Sequence, residues 1–270
     1  MPPAEPTSSL RRAVALGLIQ GPSELLPISS SAHTRLIPRL AGWAEEPSQD
    51  GGRSFEVALH GAACLALTLE MAGPLRHELG PASGRRALTA VLALAPPAIA
   101  GLAFRGSIET RLSGSRATAA GLVAGAIAMA IADRRREGPV RAAADAGPLD
   151  GLLLGLAQAL ALAPGVSRNG ATLTVARARG FGRPAAQRLS WGAGLPVMGG
   201  ASAVEVVRMA HGGPLRERSS LVGGALAAFC STRLSARLLA RRLERGALWP
   251  YALYRCLLAG LVLLRTRRAQ

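Results

Sequence analysis

Residues 87–104 contain no charged side chain, and this restricts the possible folds more than any other feature of the chain. At about 1.5 Å of rise per residue, a helix of that length nearly crosses the ~30 Å hydrocarbon core of a bilayer. Further apolar blocks occupy 117–132, 189–204, 219–232 and 247–254, the last continued by 256–264. Residues 55–73 form another, with Glu56 near one end and Glu70 near the other. A soluble helical protein accommodates an occasional block of this kind, but not a series of them. Only helices or closed barrels satisfy the backbone within a membrane, and strand-type alternation is absent. The reading is an all-α polytopic membrane protein.

Two segments do not behave as simple spans. The first reads Leu16-Gly17-Leu18-Ile19-Gln20, Pro22-Ser23-Glu24 and Pro27-Ile28-Ser29-Ser30-Ser31-Ala32-His33. The second reads Leu154-Gly155-Leu156-Ala157-Gln158, then Pro164-Gly165-Val166-Ser167-Arg168-Asn169-Gly170-Ala171-Thr172. At one constant offset Gln20 matches Gln158, Ser29 matches Ser167, Thr34 matches Thr172, and Ser30 falls opposite Arg168. Pro22, Pro27 and Pro164-Gly165 are expected to break their helices. Non-helical backbone at membrane depth is tolerated where it lines a polar cavity, and repeated broken helices commonly build a midplane site. The chain therefore reads as one integral membrane domain of 270 residues with related halves at about 10–132 and 148–264. Each half is expected to supply a re-entrant helical hairpin, and the two motifs to meet, with Ser29–His33 facing 167–172. Residues 133–147 form the connection, 41–54 a polar loop with Glu45-Glu46 and Gly51-Gly52, and 73–84 and 211–218 turns.

The charge pattern supplies orientation. All 32 basic residues are Arg and the formal net charge is +16. The arginines cluster at 134–136 with Arg141, along 233–245 and in the tail 265–268. Such clusters between apolar blocks read as cytoplasmic loops meeting anionic lipid headgroups. Nucleic acid is excluded as a partner, because aromatics are scarce and apolar spans are interleaved throughout. Cys64, Cys230 and Cys256 stand singly in apolar blocks, without the spacing of a metal site or disulfide framework. The short apolar run after Arg11-Arg12 ends at Gln20 and reads as part of the protein rather than a cleaved signal.

Glu24 and Arg168 are ionisable residues in apolar surroundings, where each costs on the order of 3 kcal/mol to bury. One reading is a structural ion pair joining the hairpins. The other adds an anionic ligand: the Arg fork suits phosphate oxygens, helix N-termini add backbone donors, and Ser29, Ser30, Ser31, Ser167 and Thr172 supply hydroxyls. His33 follows Ser30 by one helical turn, which places both on one face. A Ser–His pair beside a carboxylate has the logic of an activated nucleophile. His77 and His211 read as loop residues, and His60 as a polar residue lining the pocket.

These segments resemble the signature of the undecaprenyl-diphosphate phosphatase family, known also for bacitracin resistance. Phe55-Glu56-Val57-Ala58-Leu59, Leu195-Pro196 and Tyr251-Ala252-Leu253-Tyr254-Arg255 extend the resemblance over nearly the whole chain, in order. The resemblance implies an all-helical bundle with inverted repeats and two re-entrant hairpins. It further implies a phosphatase that converts undecaprenyl diphosphate to the monophosphate, the lipid carrier of peptidoglycan and envelope synthesis. Glu24, Ser30, His33 and Arg168 take the family's essential positions. Gln20, Ser29, Ser31, Ser167, Asn169 and Thr172 are the expected substrate-binding residues. A divalent cation, Mg2+ or Ca2+, is implied, with Glu24 as its ligand. The implied location is the bacterial plasma membrane, with the site facing the outer side; a homodimer is compatible with this reading.

The chain departs from the family pattern at three places. Gln20 stands where many members have Glu, Asn169 follows the Arg in place of the usual Ser, and Ala32 replaces a common Gly. Sequence leaves the nucleophile open among Ser30 with His33 as base, the inverse, and water. A polyprenyl-phosphate transporter is the alternative function, since it would use the same broken-helix anion site. A phosphatidic-acid-type phosphatase would require a further His soon after Ser167-Arg168, and none precedes His211.

Overall fold

The computed structural model describes residues 6–43, 49–79, 83–112, 114–134, 140–211 and 218–268. The Glu45-Glu46 loop, Arg135-Arg136 and the centre of the 211–218 turn lie outside the described residues. Most of the rest is helical: α1 Pro6–Leu25, α2 Ser30–Leu40, α3 Gln49–Leu79, α4 Gly84–Ala103, α5 Arg105–Leu112, α6 Ser115–Asp133, α7 Pro148–Leu160, α8 Arg168–Ala178, α9 Arg183–His211, α10 Arg218–Arg245 and α11 Trp249–Arg268. Among the described residues the sole β feature is an isolated bridge between Arg141 and Phe181. Three helices are long and apolar enough to cross a membrane: α3 over Phe55–Leu75, α4, and α6. The later helices are interrupted by charge, as Arg188, Arg233 and Arg255 show. The α4 span is only 11% buried. Its exposed Leu88, Val91, Ile99 and Leu102 form the outward apolar surface that lipid requires.

Prolines shape the helices less than expected. α1 continues through Pro22, with the Leu26 N–H bonded to the Pro22 carbonyl at 2.9 Å. The first break therefore lies at residues 26–29, not at Pro22. α3 likewise runs through Pro74 to Leu79, so most of the expected turn at 73–84 is helix, and α3 starts at Gln49 inside the expected 41–54 loop. A proline costs one hydrogen bond, and neighbouring helices make that cost tolerable within a bundle.

Each break turns the chain back on itself. Near the base of the first hairpin, Arg12 of α1 lies over the ring of Trp43, just past α2. At the base of the second, Arg179 at the end of α8 bonds Asp150 at the start of α7 at 2.8 Å. The Asp150 carboxylate also takes two bonds from Arg141, at 3.0 and 2.7 Å, and the Gly147 N–H at 3.0 Å, which fixes the helix start behind Pro148.

The hairpins are held crosswise. α1 packs chiefly on α10 and α2 also touches α11, while α7 packs on α4 and α8 on α6. Ser9 meets Ser220 at the start of α10, and the Ser231 hydroxyl donates to the Gly17 carbonyl further along. The other end of α10 packs through Leu239 near Tyr251, whose ring also touches the cluster containing Phe181. The two hairpin bases thus lie towards opposite ends of the bundle, and the breaks meet between them. Asp133 closes the base of the second hairpin with Arg183 at 3.1 Å, Arg177 at 3.5 Å and the Leu248 N–H at 2.8 Å.

Candidate functional site

At each break a serine adopts a backbone conformation that L-residues avoid. Ser29 has φ 74° and Ser167 has φ 66°, and no other non-glycine residue in the described chain has positive φ. Each directly precedes its second helix. Such strain costs on the order of 1–3 kcal/mol and persists where surrounding contacts impose it, commonly at functional sites. The repeat seen in the sequence is therefore a repeat of backbone geometry.

The contacts of the two serines differ. The Ser167 hydroxyl caps α8 by accepting the Gly170 N–H at 3.1 Å. Ser29 makes no cap bond; its hydroxyl lies 3.4 Å from that of Ser31. Its carbonyl instead accepts both the backbone N–H and the Nδ1–H of His33, at 3.3 and 2.7 Å. That bond fixes the imidazole tautomer, so Nε2 accepts the Tyr254 hydroxyl at 2.7 Å. The two rings lie nearly parallel, 4° apart.

Glu24, 6% exposed, is the hub where the halves join. Its Oε1 accepts Arg168 Nη2 from the second break at 2.6 Å. Its Oε2 accepts the Ser30 hydroxyl at 2.7 Å and Gln20 Nε2 at 3.0 Å. His60 Nδ1, from α3, lies 2.9 Å from the same oxygen and 3.1 Å from Gln20 Nε2. Arg168 Nη2 also reaches Met198 Sδ at 2.7 Å. Its guanidinium packs where a side chain at Gly194 would stand, so α9 needs glycine there.

The structure thus brings Glu24, Ser30, Gln20 and Arg168 together. Ser30 is the first residue of α2, and the turn at Ser29 directs its hydroxyl back to α1. His33, one helical turn on, faces α11 instead. The expected Ser30–His33 hydrogen bond is not formed; Ser30 donates to Glu24.

Asn169 and Thr172 are turned into the protein. Asn169 donates to the Leu25 carbonyl at 2.7 Å and accepts Ser190 and Gln187 at 2.7 and 3.2 Å, which ties the first break to α9. The Thr172 hydroxyl lies 2.9 Å from the Arg168 carbonyl and 2.5 Å from Ser190 Oγ.

Sequence reasoning missed His60 as a partner of Glu24, and Tyr254 and Arg255 as partners of the breaks. The signal for His60 was a lone histidine in an apolar span. Tyr254-Arg255 carried the signal of an ionisable residue inside another.

In the hub the charge of Arg168 is met by the Glu24 carboxylate. Arg168 offers a planar fork, and a hydroxyl sits against a carboxylate able to take its proton. Gln20 Oε1 is buried without a hydrogen-bond partner. With Glu24 it forms a small set of hard oxygen donors. Among the described residues, no cluster of three or more His, Cys, Asp or Glu residues could hold a metal by itself.

Comparisons with known proteins cover nearly the whole chain. The family described as Bacitracin resistance protein BacA matches residues 13–261. An undecaprenyl-diphosphatase of Geobacter sulfurreducens is 38% identical over 268 residues, covering 94% of this chain and 97% of the relative. Undecaprenyl-diphosphatase 2 of Mesorhizobium japonicum is 38% identical, covering 91% and 97%. The enzyme of Idiomarina loihiensis is 31% identical, covering 92% and 96%. Nearly the whole chain, both breaks included, falls within the match, and the chain belongs to the bacitracin resistance protein BacA family.

Proposed function

We propose that this protein is an undecaprenyl-diphosphatase: it hydrolyses undecaprenyl diphosphate to undecaprenyl phosphate and inorganic phosphate, returning the lipid carrier to peptidoglycan and envelope synthesis. The observation that carries the reading is the Ser30–Glu24–Arg168 chain joining the two breaks, in a protein whose relatives bear that name along almost their full length. The transporter alternative finds no support among these relatives.

Arg168 binds the terminal phosphate, with Ser29, Ser31 and Ser167 and the N–H groups at the starts of α2 and α8 as further donors. Ser30 Oγ attacks the terminal phosphorus. The bond from that phosphorus to the bridging oxygen breaks, and its electron pair leaves with the lipid monophosphate. The Ser30 proton passes to Glu24 Oε2, the acceptor already bonded to it. Water then cleaves the phosphoseryl bond, and Ser30 Oγ recovers a proton. His33 serves the water step through Nε2, left basic by the Nδ1–H bond to Ser29, once the water replaces the Tyr254 hydroxyl that Nε2 now accepts. Phosphoryl transfer depends mainly on positioning and charge neutralisation, which Arg168 supplies in both steps. Asn169 and Thr172 act by holding Arg168 and the first break in place.

Glu24 and Gln20 Oε1 suit a divalent cation that arrives with the diphosphate. Magnesium is usually held by one or two carboxylates together with substrate phosphates. When bound, the cation supplies charge neutralisation on the diphosphate.

The protein resides in the bacterial plasma membrane, with the C55 tail lying along its apolar outer surface. The hairpins are re-entrant and the site opens to the outer side. The arginines gathered around Asp133 and Asp150 mark the cytoplasmic end by the positive-inside rule; the tail arginines do not join them, because α11 starts beside Asp133 and its far end packs near the start of α6.

The decisive assay is phosphate release from a C55 or C15 polyprenyl diphosphate by detergent-purified protein, with Mg2+, Ca2+ or EDTA. Release that needs the cation and is abolished by Ser30→Ala, His33→Ala and Arg168→Ala is expected. Absence of release from folded wild type overturns the reading.

A further inference from the structure

Arg255 is fully buried in α11, and among the described residues no carboxylate is bonded to it. Its two terminal nitrogens are spent on backbone carbonyls instead, while Nε is buried without a hydrogen-bond partner among the described residues. Nη1 donates to Pro27 O at 3.4 Å. Nη2 is shared among Gly165 O at 2.9 Å, Val166 O at 2.8 Å and Gly121 O at 3.3 Å. Pro27 lies in the first break, two residues before Ser29. Gly165 and Val166 lie in the second, immediately before Ser167 and Arg168. One planar group therefore holds both breaks and ties them to α6.

The surroundings are cut to fit that group. A Cβ on Gly125 of α6 would stand 2.9 Å from both the guanidinium carbon and the Val166 carbonyl oxygen that Arg255 grips, and one on Gly170 of α8 would stand 2.8 Å from Nη1. Burying an Arg inside a membrane protein costs on the order of 3 kcal/mol. Well-packed apolar residues often replace buried charges without loss, so packing alone does not call for this arginine. The paired positive-φ serines, by contrast, need something to over-determine them, and the carbonyls Arg255 grips are those leading into them. The preceding residue, Tyr254, bonds His33, so one turn of α11 touches three parts of the site.

We propose that Arg255 is a positioning residue: by holding the Pro27 and Gly165–Val166 carbonyls it sets Ser30 and Glu24 against Arg168. It touches no substrate. The proposal rests on the phosphatase reading for its effect on turnover, but not for its effect on the breaks. Lysine carries the charge yet cannot grip two breaks with one rigid fork.

The test uses the full-length protein in detergent. Arg255→Met, Arg255→Lys and Gly125→Ala are compared with Gly260→Ala, whose Cβ would meet nothing within 4 Å. For Arg255→Met, kcat for a C15 diphosphate is expected to fall about 10²-fold, the scale of a small misplacement. KM is expected to change less than about threefold, since Arg168 remains. Arg255→Lys should recover part of the loss. Gly125→Ala should reproduce part of it with Arg255 present, and Gly260→Ala should match wild type.

Hydrogen–deuterium exchange provides a readout that needs no turnover. In Arg255→Met, exchange should rise together at residues 26–31 and 163–170. A kcat within about threefold of wild type, a loss matched by KM alone, or exchange rising at one break only would overturn the proposal. Absence of turnover in wild type sinks the phosphatase reading and leaves exchange to decide on Arg255. If Arg255→Met does not fold, the Lys and Gly125 variants carry the same comparison.

Discussion

The two hairpins share a fold and carry different side chains at their breaks. Both run helix, break, helix, and both enter the second helix through a serine of positive φ. The first places a carboxylate and a hydroxyl at its break, the second an arginine. Gln20 in the first holds Glu24, whereas its counterpart Gln158 donates to the Ala93 carbonyl of α4 at 3.0 Å. Where Glu24 stands in the first hairpin, the second has Leu162. On the proposed mechanism one copy keeps the reactive half of the site and the other the anion-binding half. Neither break is a complete site, and the crosswise packing of α1 on α10 and α7 on α4 makes each half dependent on the other.

This division is best tested by changing matched positions. The largest effects should come from the residues that differ. Ser30→Ala and Arg168→Ala should each lower kcat/KM for polyprenyl diphosphate by about 10³-fold or more. Steady-state kinetics will separate them, because Arg168→Ala should also raise KM. Next comes stability. Glu24→Ala leaves the partly buried Arg168 without its carboxylate; removing one partner of a fully buried pair costs about 3–5 kcal/mol, and this half-open one should cost the lower end of that range. The variant's thermal melting should fall well below that of Ser30→Ala, which removes a single hydroxyl.

The glutamines should then part company. Gln20→Ala should reduce kcat by about tenfold to a hundredfold, the worth of a hydrogen bond to a charged group. Gln158→Ala should leave kcat unchanged and cost about 1 kcal/mol in stability. Equal effects on kcat would erase the distinction between the halves. The smallest difference concerns the strained serines. Ser29→Gly relieves positive φ without losing a cap bond and should raise the melting temperature slightly. Ser167→Gly gains the same relief but loses the bond to the Gly170 N–H, so its melting should change by less.

Periodicity and spacing made the helical class, the repeat and the Glu24–Arg168 pairing legible, because each depends on residue type at a fixed interval. Partner choice within the site was less legible. The i, i+3 spacing put Ser30 and His33 on one face, but the positive φ at Ser29 turns Ser30 towards Glu24 and leaves His33 to Tyr254. Asn169 and Thr172 have the chemistry of substrate ligands, yet tertiary neighbours on α1 and α9 take up their polar groups. His60 belongs to a helix far along the chain, and no local pattern aims it at Glu24. Pro22 looked like a break because proline costs a helix one bond; the bundle around α1 supplies enough packing to carry the helix past it. Arg255 was visible as a charge in an apolar helix, but its carbonyl partners become apparent only when both breaks are seen together.

The central claim is that the active site exists only where the two breaks meet, and a double-mutant cycle across that junction addresses it most directly. Phosphate release from a C15 diphosphate would be measured for wild type, Glu24→Gln, Arg168→Gln and the double variant. The joined site predicts that each single substitution removes most of the activity and that the double variant is little worse than the poorer single one. Losses that multiply, as they do for independent sites, would contradict it.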